Sequence, residues 1–307
     1  MNVTKMKYSI EKDLVTIAIP AYKDSYLSDA IDSALQQDYD NIELIIVNDN
    51  SPYDLDNIVS RYKDKRIRYY KNKRNLGKRS IVLNWNKCLE YAHGEFFVLL
   101  CDDDVLYPNF VSELLKLVIQ YPLCNVFHAR KVEKDERTGI EEESPIWPPY
   151  EQHKEYVDAY FNEQRKHTIS EFLYRTSAIN DIQYIVFPVG FYSDDASIIE
   201  FTKVGGIASS QIPLMMFRYS QEHISSNGDY NIGKARAMRQ FLRWARKEKS
   251  CQPYLFDKTK KELDASIGYF IQCKGWKKFL VVPYIPWTKS NIRIIWIVFV
   301  KMLLHRY

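Results

Sequence analysis

The chain has 307 residues, enough for one large domain with an appendage or for two domains, and its hydrophobic content of 46% is ordinary for a globular protein. Its charge is divided unevenly, because residues 231–307 carry 17 Lys and Arg against 4 Asp and Glu, whereas residues 1–230 carry 26 against 35. Five Cys, odd in number and without a CxxC pair, indicate reduced thiols of the cytosol and exclude a disulfide framework.

The N-terminal segment and the aromatic content set two further expectations. The first residues, MNVTKMKYSIEKD, lack the apolar core of a signal peptide, so we expect the main part of the chain to lie in the cytoplasm. The 23 Tyr and 6 Trp supply aromatic surfaces of the kind that stack on sugars, bases or membrane interfaces.

Strand and helix patterns alternate through the first 120 residues. Apolar, β-branched runs predict buried strands, and apolar residues at helical spacing predict the helices between them. The predicted strands are VTIAIP (15–20), IELIIV (42–47), RIRYY (66–70) and FFVLL (96–100). Helices are predicted within residues 21–37, within 72–94 with its end at Gly94, and at 110–120. This spacing implies right-handed βαβ crossovers and a mostly parallel sheet.

Three consecutive carboxylates, Asp102, Asp103 and Asp104, follow the fourth predicted strand. Open α/β sheets place their ligands at the carboxyl ends of strands, and adjacent carboxylates repel one another unless a cation or hydrogen-bond donors compensate them. Mg²⁺ or Mn²⁺ usually takes one or two protein carboxylates together with water and substrate phosphate. The alternative is that these residues cap the next helix, but one Asp suffices for that. The triplet therefore predicts a metal–phosphate site.

Polar loops follow several of the predicted strands, at Tyr22-Lys23-Asp24, at Asp49 and at the acidic triplet. Because the carboxyl ends of parallel strands meet at one edge of a sheet, we expect these loops to converge there. No GxGxxG follows the first strand and no GxxxxGK[ST] occurs in the sequence. The dinucleotide fingerprint and the Walker A loop are therefore excluded.

The segments IPAYKD, VNDNS, HGEFF and CDDD, in this order, carry a resemblance to family 2 inverting glycosyltransferases of the GT-A fold over residues 13–225. The resemblance implies an α/β, Rossmann-like, mostly parallel sheet flanked by helices, with a catalytic domain at 1–228 and a helical, basic and aromatic C-terminal extension at 229–307. Three positions depart from the family pattern. Lys23 replaces the usual Asn, Asn48 the first Asp of a DDxS loop, and Cys101 the first Asp of a DxDD pattern.

The resemblance also implies a nucleotide-sugar donor site on these loops. Pro20 and Tyr22 would line the nucleobase slot, with Ala21 and Asp24 on the same loop. Asp49 would accept a hydrogen bond from the base. Because the N3–H group of uracil is a donor that a carboxylate can read, the resemblance favours a UDP-sugar.

For the sugar and phosphate part of the donor, Asp102 would face the ribose. Asp103 would bind the Mn²⁺ or Mg²⁺ that bridges the diphosphate, with Asp104 and His223 as further metal ligands. In the family, an Arg at the end of the domain closes over the diphosphate, and here that residue is Arg218.

Two basic residues after Gly77 have two interpretations. Lys78 and Arg79 could reach the base or a phosphate of the donor, or they could be the solvated start of a helix.

A second pair of carboxylates, Asp194 and Asp195, lies between a Gly-aromatic loop and an apolar helical pattern. Transfer with inversion needs a carboxylate that takes the proton from the attacking hydroxyl. Asp195 matches the position of the family's base, and Asp194 takes the place of the usual Glu. The structural alternative is a helix N-cap with a first-turn Asp.

The middle of the chain is less regular. Residues 125–132 are typical of a strand, and the charged segment 134–156 predicts a loop on the acceptor side. Residues 168–179, TISEFLYRTSAI, resemble the family's central strand and the helix that leads toward the catalytic helix.

The C-terminal extension is basic and aromatic. Residues 231–249 predict an amphipathic helix with Met238, Phe241, Leu242 and Ala245 on one stripe. The last apolar block, 294–304, is too short to span a bilayer, but with its Trp and basic residues it fits a segment lying in the headgroup region. The alternative is a helix packed on the domain or on a second copy of the chain in an oligomer.

Together these observations predict a cytoplasmic, metal-dependent inverting sugar transferase at the inner face of the membrane. Its acceptor would be a hydroxyl of a glycan or a lipid-linked acceptor in surface polysaccharide or glycolipid biosynthesis, and contact with anionic lipid would use the C-terminal tail. A nucleotidyltransferase and an inactive sugar-binding or scaffold protein are the alternatives. A nucleic-acid partner is not expected, because no recognition module accompanies the basic charge.

Overall fold

In the computed structural model, the described residues are 10–219, 230–255, 281–284, 292–293, 295–297 and 300. The chain divides into two compact units. The first contains Met1–Ile185 and Ser197–Ser220, and the second contains Val186–Ala196 and Gln221–Tyr307. The domain boundary predicted after residue 228 falls outside the described residues and stays a prediction.

The first unit is built on a ten-stranded sheet. The strands are β1 (Glu11–Ile19), β2 (Ile42–Asn48), β3 (Ile67–Lys71), β4 (Gly94–Leu99), β5 (Val105–Leu106), β6 (Val126–Asp135), β7 (Glu141–Glu143), β8 (Tyr150–Glu151), β9 (Phe172–Arg175) and β10 (Ile207–Tyr219). Their order is β3-β2-β1-β4-β9-β6-β10-β5, with β7 paired to β6 and β8 paired to β10.

The long strands of this sheet run in one direction. β1 is parallel to β2 and β4, β2 is parallel to β3, and β10 is parallel to β6. The short strand β9 is antiparallel to both β4 and β6, so these two strands also share a direction. The mostly parallel sheet predicted from the sequence is therefore confirmed, with β9 inserted against that direction.

Eight α-helices lie in the described part of the chain. They are α1 (Leu27–Leu35), α2 (Leu55–Ser60), α3 (Val82–Glu90), α4 (Phe110–Gln120), α5 (His153–Phe161), α6 (Thr176–Asn180), α7 (Ser193–Phe201) and α8 (Asn231–Ala245). The bounds of α4 agree with the predicted helix at 110–120.

The core forms around the central strands, whose continuous runs are buried on both faces of the sheet. On β1, Val15, Ile17 and Ile19 are fully buried and share one apolar cluster with residues of α1, α2 and α4. Helices α3 and α6 also pack on the central strands. All seven residues of β2 are buried, as expected for a strand covered on both faces. The unbroken apolar run IELIIV was therefore a sound predictor of a central strand.

The predicted end of a helix at Gly94 is wrong. Helix α3 ends at Glu90, and Gly94 is the first residue of β4. A Cβ atom at Gly94 would lie 2.6 Å from the carbonyl oxygen of Leu14 and 2.7 Å from the backbone nitrogen of Thr16. Glycine is required here because strand β1 passes so close, and not because a helix terminates.

The prediction of one loop over residues 134–156 is also wrong in part. Strand β6 continues to Asp135, and β7 pairs antiparallel with it through Val132 and Glu143. The three residues of β7 are exposed glutamates, which give no apolar alternation to detect. Helix α5 then begins at His153, and Gln152 and Glu155 form a capping box at its start.

In the second unit, the amphipathic helix predicted for 231–249 is confirmed as α8. Its predicted stripe of Met238, Phe241, Leu242 and Ala245 is buried. No helix within the described residues is long and apolar enough to cross a membrane. The interfacial segment predicted near the C-terminus lies largely outside the described residues, so membrane contact stays a prediction.

Candidate functional site

Loops that follow β1, β2 and β4 are joined at the carboxyl edge of the sheet, where the sequence predicted convergence. One oxygen of Asp102 accepts hydrogen bonds from the backbone N–H groups of Tyr22 and Lys23, both at 2.7 Å. The hydroxyl of Ser51 donates to the carbonyl oxygen of Tyr22 at 2.5 Å. Asp102, predicted to face a ribose, therefore also fixes the loop after β1.

Asp49 fixes a further loop at the same edge. Its Oδ1 accepts hydrogen bonds from the side-chain amide of Asn72 and the backbone N–H of Leu76, both at 2.8 Å, and its Oδ2 accepts from the N–H of Gly77 at 2.7 Å. A Cβ atom at Gly77 would lie only 3.1 Å from that Oδ2. Asp49 is thus a buried anchor of this loop, and the hydrogen bond to a base that the resemblance implied for it stays a prediction.

Asp103 forms an ion pair with the ammonium group of Lys23. The same ammonium lies 3.7 Å from Oδ1 of Asp102. Burial, reinforced by the charge of Asp103, raises the pKa of Asp102 to about 6, although Lys23 acts in the opposite direction. Burial alone would lower the pKa of the Lys23 ammonium, but the two carboxylates raise it above its ordinary value. Lys23 is therefore a cation in the acidic triplet.

Asp104 is fully buried and is held from the opposite side. Its Oδ2 accepts a hydrogen bond from the hydroxyl of Ser170 at 2.6 Å, and its Oδ1 accepts from the backbone N–H of Arg218 at 3.3 Å. Burial and the charge of Asp103 raise the pKa of Asp104 to about 8. The geometry thus gathers three carboxyl groups whose mutual repulsion favours a cation.

Cys101, Asp103 and Asp104 each present a potential ligand atom, and these atoms lie within 4.8 Å of one another. Carboxylate oxygens are the ligands that Mg²⁺ and Mn²⁺ prefer, and these ions leave positions for water and phosphate. Burial raises the pKa of the Cys101 thiol well above its ordinary value, so sulfur is the weaker candidate. The pair of Asp103 and Asp104 therefore fits a hard divalent cation.

The side chain of Arg218 is buried within the same edge. Its guanidinium donates hydrogen bonds to the carbonyl oxygen of Asp103 at 3.0 Å, to Asp29 at 2.9 Å and to Glu136 at 2.5 Å. Its Cζ also lies 4.0 Å from the ring centroid of Tyr26. Arg218 thus braces the acidic loop, a role that the sequence did not predict, and its contact with a diphosphate stays a prediction.

The other residues predicted for donor binding lie on the converging loops, with different exposure. Tyr22 is 39% exposed, which leaves a face of its ring accessible to a base. The remaining positions are a buried Ala21, partly exposed Pro20 and Asp24, and exposed Lys78 and Arg79. The structure therefore places these residues near the edge without assigning any of them a ligand.

Asp194 and Asp195 lie in the first turn of α7, where the sequence predicted a helix to begin. The backbone before them is strained, because Val189 and Tyr192 have φ angles of 54° and 64°. A left-handed conformation is rare for β-branched and aromatic residues, and strain of this kind clusters at functional sites. The hydroxyl of Ser193 accepts the backbone N–H of Phe187 at 3.0 Å and closes the loop. The role of base stays a prediction, as does metal binding by His223, which lies outside the described residues.

Sequence reasoning missed a buried polar cluster behind the acidic triplet. Glu171 binds the ammonium of Lys131 at 2.8 Å and the Nε2 atom of His128 at 3.0 Å. Burial alone would raise the pKa of Glu171, but the charges and hydrogen bonds of Lys131 and His128 lower this pKa to about 2. The pattern Thr168-x-x-Glu171 is a capping-box signature that was visible in the sequence. The cluster holds the short 3-10 helix that contains Ser170.

These features define an open α/β protein with a candidate ligand site at the carboxyl ends of the central strands. The model of the family described as glycosyl transferase family 2 matches residues 16–183, more than half of the chain. The chain belongs to this family.

Curated relatives match over a shorter segment. An uncharacterized glycosyltransferase of Rickettsia typhi is 38% identical over 114 residues, which cover 37% of this chain and 34% of the relative. An uncharacterized glycosyltransferase of Methanocaldococcus jannaschii is 32% identical over 112 residues, covering 35% and 38%. The chain thus matches little more than a third of the length of these relatives.

Solved structures match over most of the chain. S. aureus TarS 1-349 in complex with UDP-GlcNAc has a TM-score of 0.69 and 16% identity, covering 88% of this chain and 79% of that one. The mannosyltransferase PcManGT from Pyrobaculum calidifontis, in complex with GDP-Man and Mn²⁺, has a TM-score of 0.55 and 14% identity, covering 92% and 84%. At these identities the likeness shows the fold, which is the GT-A fold that the sequence resemblance implied.

Proposed function

We propose that the protein is a metal-dependent inverting glycosyltransferase that moves a sugar from a nucleotide-sugar to a hydroxyl group of its acceptor. The observation that carries this proposal is the acidic triplet at the carboxyl end of β4, where Asp103 and Asp104 fit a divalent cation. Asp102 and Asp49 fix the loops on which the predicted donor residues lie. Such an edge suits a ligand that carries both a base and a diphosphate.

In the proposed mechanism, Asp195 accepts the proton of the acceptor hydroxyl as its oxygen attacks the anomeric carbon. The attack comes from the face opposite the diphosphate. The bond from the anomeric carbon to the phosphate oxygen breaks, and its electron pair leaves with the nucleoside diphosphate. A divalent cation held by Asp103 and Asp104 supplies positive charge that stabilises this leaving group. Asp194 orients its neighbour, and the two remain on one helical turn.

The donor is proposed to be a UDP-sugar and the metal Mn²⁺ or Mg²⁺. The proposal for UDP rests on the family resemblance, in which the carboxylate of Asp49 would accept a hydrogen bond from the N3–H group of uracil. TarS was solved in complex with UDP-GlcNAc, and PcManGT in complex with GDP-Man and Mn²⁺, so both nucleotides occur on this fold. Arg218, Lys78 and Arg79 are kept as candidates for contact with the donor.

The acceptor is proposed to be a glycan or a lipid-linked molecule at the cytoplasmic face of the membrane, in surface polysaccharide or glycolipid biosynthesis. The C-terminal extension supports contact with anionic lipid, because residues 231–307 within it carry 17 basic against 4 acidic residues. On α8 the side opposite the buried stripe includes exposed Arg236 and Arg243. Liposomes with and without anionic lipid test this part directly: equal binding to both would remove the electrostatic contact.

A thermal-shift comparison of UDP, GDP, dTDP and CMP, each with and without Mn²⁺, tests the donor. A nucleotide at about 100 times its dissociation constant stabilises a protein by about 2.7 kcal/mol, which is easily measured. We expect UDP to stabilise most and Mn²⁺ to increase its effect. Stabilisation by GDP or dTDP alone would show that Asp49 does not select uracil.

Product analysis with a UDP-sugar and candidate acceptors tests the reaction class. A transferase releases UDP, and a single inverting attack turns an α-linked donor into a β-linked product. Release of pyrophosphate would identify a nucleotidyltransferase instead. Donor binding without metal-dependent hydrolysis or transfer would support an inactive sugar-binding protein.

A further inference from the structure

The ammonium group of Lys23 lies where the acidic triplet would attract a metal ion. It pairs with Oδ2 of Asp103 and lies 3.7 Å from Oδ1 of Asp102. The side chain of Lys23 is 22% exposed, whereas each of the two carboxylates is 6% exposed. A cation is therefore already in contact with the carboxylate best placed to bind a divalent cation.

The loop geometry keeps Lys23 in this position. The backbone N–H of Lys23 donates to Asp102 at 2.7 Å, so the same residue is held at its backbone and at its ammonium by adjacent carboxylates. Charges at such distances, partly shielded from water, interact more strongly than exposed pairs. The conformation of the loop after β1 thus holds Lys23 in its ion pair with Asp103.

A divalent cation and the ammonium of Lys23 compete for the carboxylate of Asp103. Both would bind the carboxylate of Asp103, and two positive charges in contact repel one another. Lysine is a compact charge on a flexible stem with four methylene groups, so it can swing away from Asp103 if another anion accepts it. The diphosphate of a nucleotide is such an anion, and it arrives at this edge under the proposed function.

We propose that Lys23 is a resident counter-ion of the acidic triplet, which a divalent cation displaces from Asp103 only when a nucleoside diphosphate accepts the ammonium. This rests on the proposed function and goes beyond it, because it makes metal binding and donor binding depend on each other. Without nucleotide, the site holds its own cation and binds metal weakly. With nucleotide, Lys23 transfers its contact to a phosphate and supports the donor.

The inference predicts an effect of Lys23 substitutions on metal affinity in the absence of any reaction. Lys23→Asn introduces the residue type of the family pattern and leaves Asp103 without its internal cation. We expect it to bind Mn²⁺ roughly tenfold more tightly than the native protein when nucleotide is absent, within the usual range of coupling between sites. UDP should tighten Mn²⁺ binding strongly in the native protein and much less in Lys23→Asn.

Electron paramagnetic resonance of free Mn²⁺ gives these affinities for the full-length protein, with and without UDP. Lys23→Met is the second variant, because it keeps a long side chain and removes only the charge. Lys73→Met is the matched control, since it removes an exposed lysine charge from the neighbouring loop. Thermal melting confirms that each variant is folded.

Three results would overturn the inference: equal Mn²⁺ affinity in native protein and both Lys23 variants, an equal gain in Lys73→Met, or weaker binding in the Lys23 variants. The proposed function has a separate test in the same assay. If Asp103→Ala binds Mn²⁺ with UDP as well as the native protein does, the metal site itself is misassigned. Equal affinity in the Lys23 variants together with loss in Asp103→Ala would remove only the role of Lys23.

Discussion

The hydroxyl of Ser170 lies 2.6 Å from Oδ2 of Asp104 and donates its hydrogen to that carboxyl group. The same hydroxyl oxygen accepts the backbone N–H of Cys101 at 3.0 Å. One side chain thus holds both ends of the acidic loop. Ser170 is itself held, because the adjacent Glu171 pairs with Lys131 on β6. The acidic triplet is therefore positioned by strand β6 and a short 3-10 helix, although these elements are distant in sequence.

Ser170→Ala should lower both stability and metal affinity. It removes the acceptor of the Cys101 backbone N–H and the donor to Oδ2 of the buried Asp104, which costs about 1–3 kcal/mol in unfolding free energy. Because Asp104 is then free to turn, we expect the UDP-dependent affinity for Mn²⁺ to fall as well. Urea denaturation measures the first effect and Mn²⁺ titration the second.

The control for this variant is Ser112→Ala. Ser112 also donates to an aspartate, Asp38, but at an exposed position where the loss should be small. If Ser170→Ala loses stability while its Mn²⁺ affinity stays native, Ser170 supports the fold and does not position the site.

Stability should fall in mild acid through His167, a buried histidine whose ring packs against Trp147, Tyr160 and Phe172. Burial lowers the pKa of His167 to about 3, with the charge of Glu171 opposing this and those of Lys131 and His128 reinforcing it. The unfolded chain takes up a proton near pH 6.5, whereas the folded chain resists protonation until lower pH. The neutral His167 therefore causes no loss of stability above pH 6.5. Below that pH, the free energy of unfolding falls by about 1.4 kcal/mol per pH unit.

Urea denaturation between pH 7.5 and 4.5 checks this expectation. In His167→Gln the slope of unfolding free energy against pH should be shallower over this range, because the group that takes up the proton is gone. An unchanged slope would show that His167 is not the group responsible.

The local elements of the first unit could largely be predicted from the sequence. IELIIV was a continuous apolar run, and residues 110–120 had strong helical spacing, so local patterns sufficed. The acidic triplet was also visible, because three adjacent carboxylates rarely serve one structural purpose. The placement of loops at one edge followed from parallel strands alone.

The contacts that shape the site could not be predicted in this way. Asp102 binds backbone groups 80 residues away at Tyr22, and Arg218 binds Asp29 across 189 residues. Such pairs leave no periodic trace in either segment. Lys23 was visible as a departure from the family pattern, but only the fold shows that its ammonium enters the triplet. Gly94 was misinterpreted for the same reason, since its close neighbour is β1.

Helix α8 should affect kcat, because it contacts the loop that precedes Asp194. Within the second unit, the ring of Phe241 stacks on Tyr192 with centroids 4.9 Å apart, and Tyr192 has a positive φ angle. Phe241→Leu removes this stacking while it keeps an apolar side chain. We expect kcat to fall roughly tenfold with little change in UDP affinity, because small displacements of a catalytic group are costly.

Leu242→Ala is the matched control, because it truncates a buried apolar residue of the same helix. If both variants lose similar stability but only Phe241→Leu has a lower kcat, the result supports a role of Phe241 in positioning the loop before Asp194. An equal fall in kcat would indicate a general loss of stability.

The last prediction concerns Asp195, because it separates a transferase from a protein that only binds nucleotide. As the base, Asp195 acts only while the acceptor hydroxyl attacks. Asp195→Asn should therefore keep the native affinity for UDP and Mn²⁺ while transfer falls by roughly 10²–10⁴, the usual contribution of a positioned base. The change is nearly isosteric at a partly exposed position, so the fold should persist. Asp194→Asn is the matched control on the same helical turn and should cost less if that residue only orients its neighbour. The double variant should lose no more than Asp195→Asn alone if the two act as a unit. An Asp195→Asn protein with full transfer activity, or a product that retains the configuration of the donor, would remove Asp195 from the mechanism.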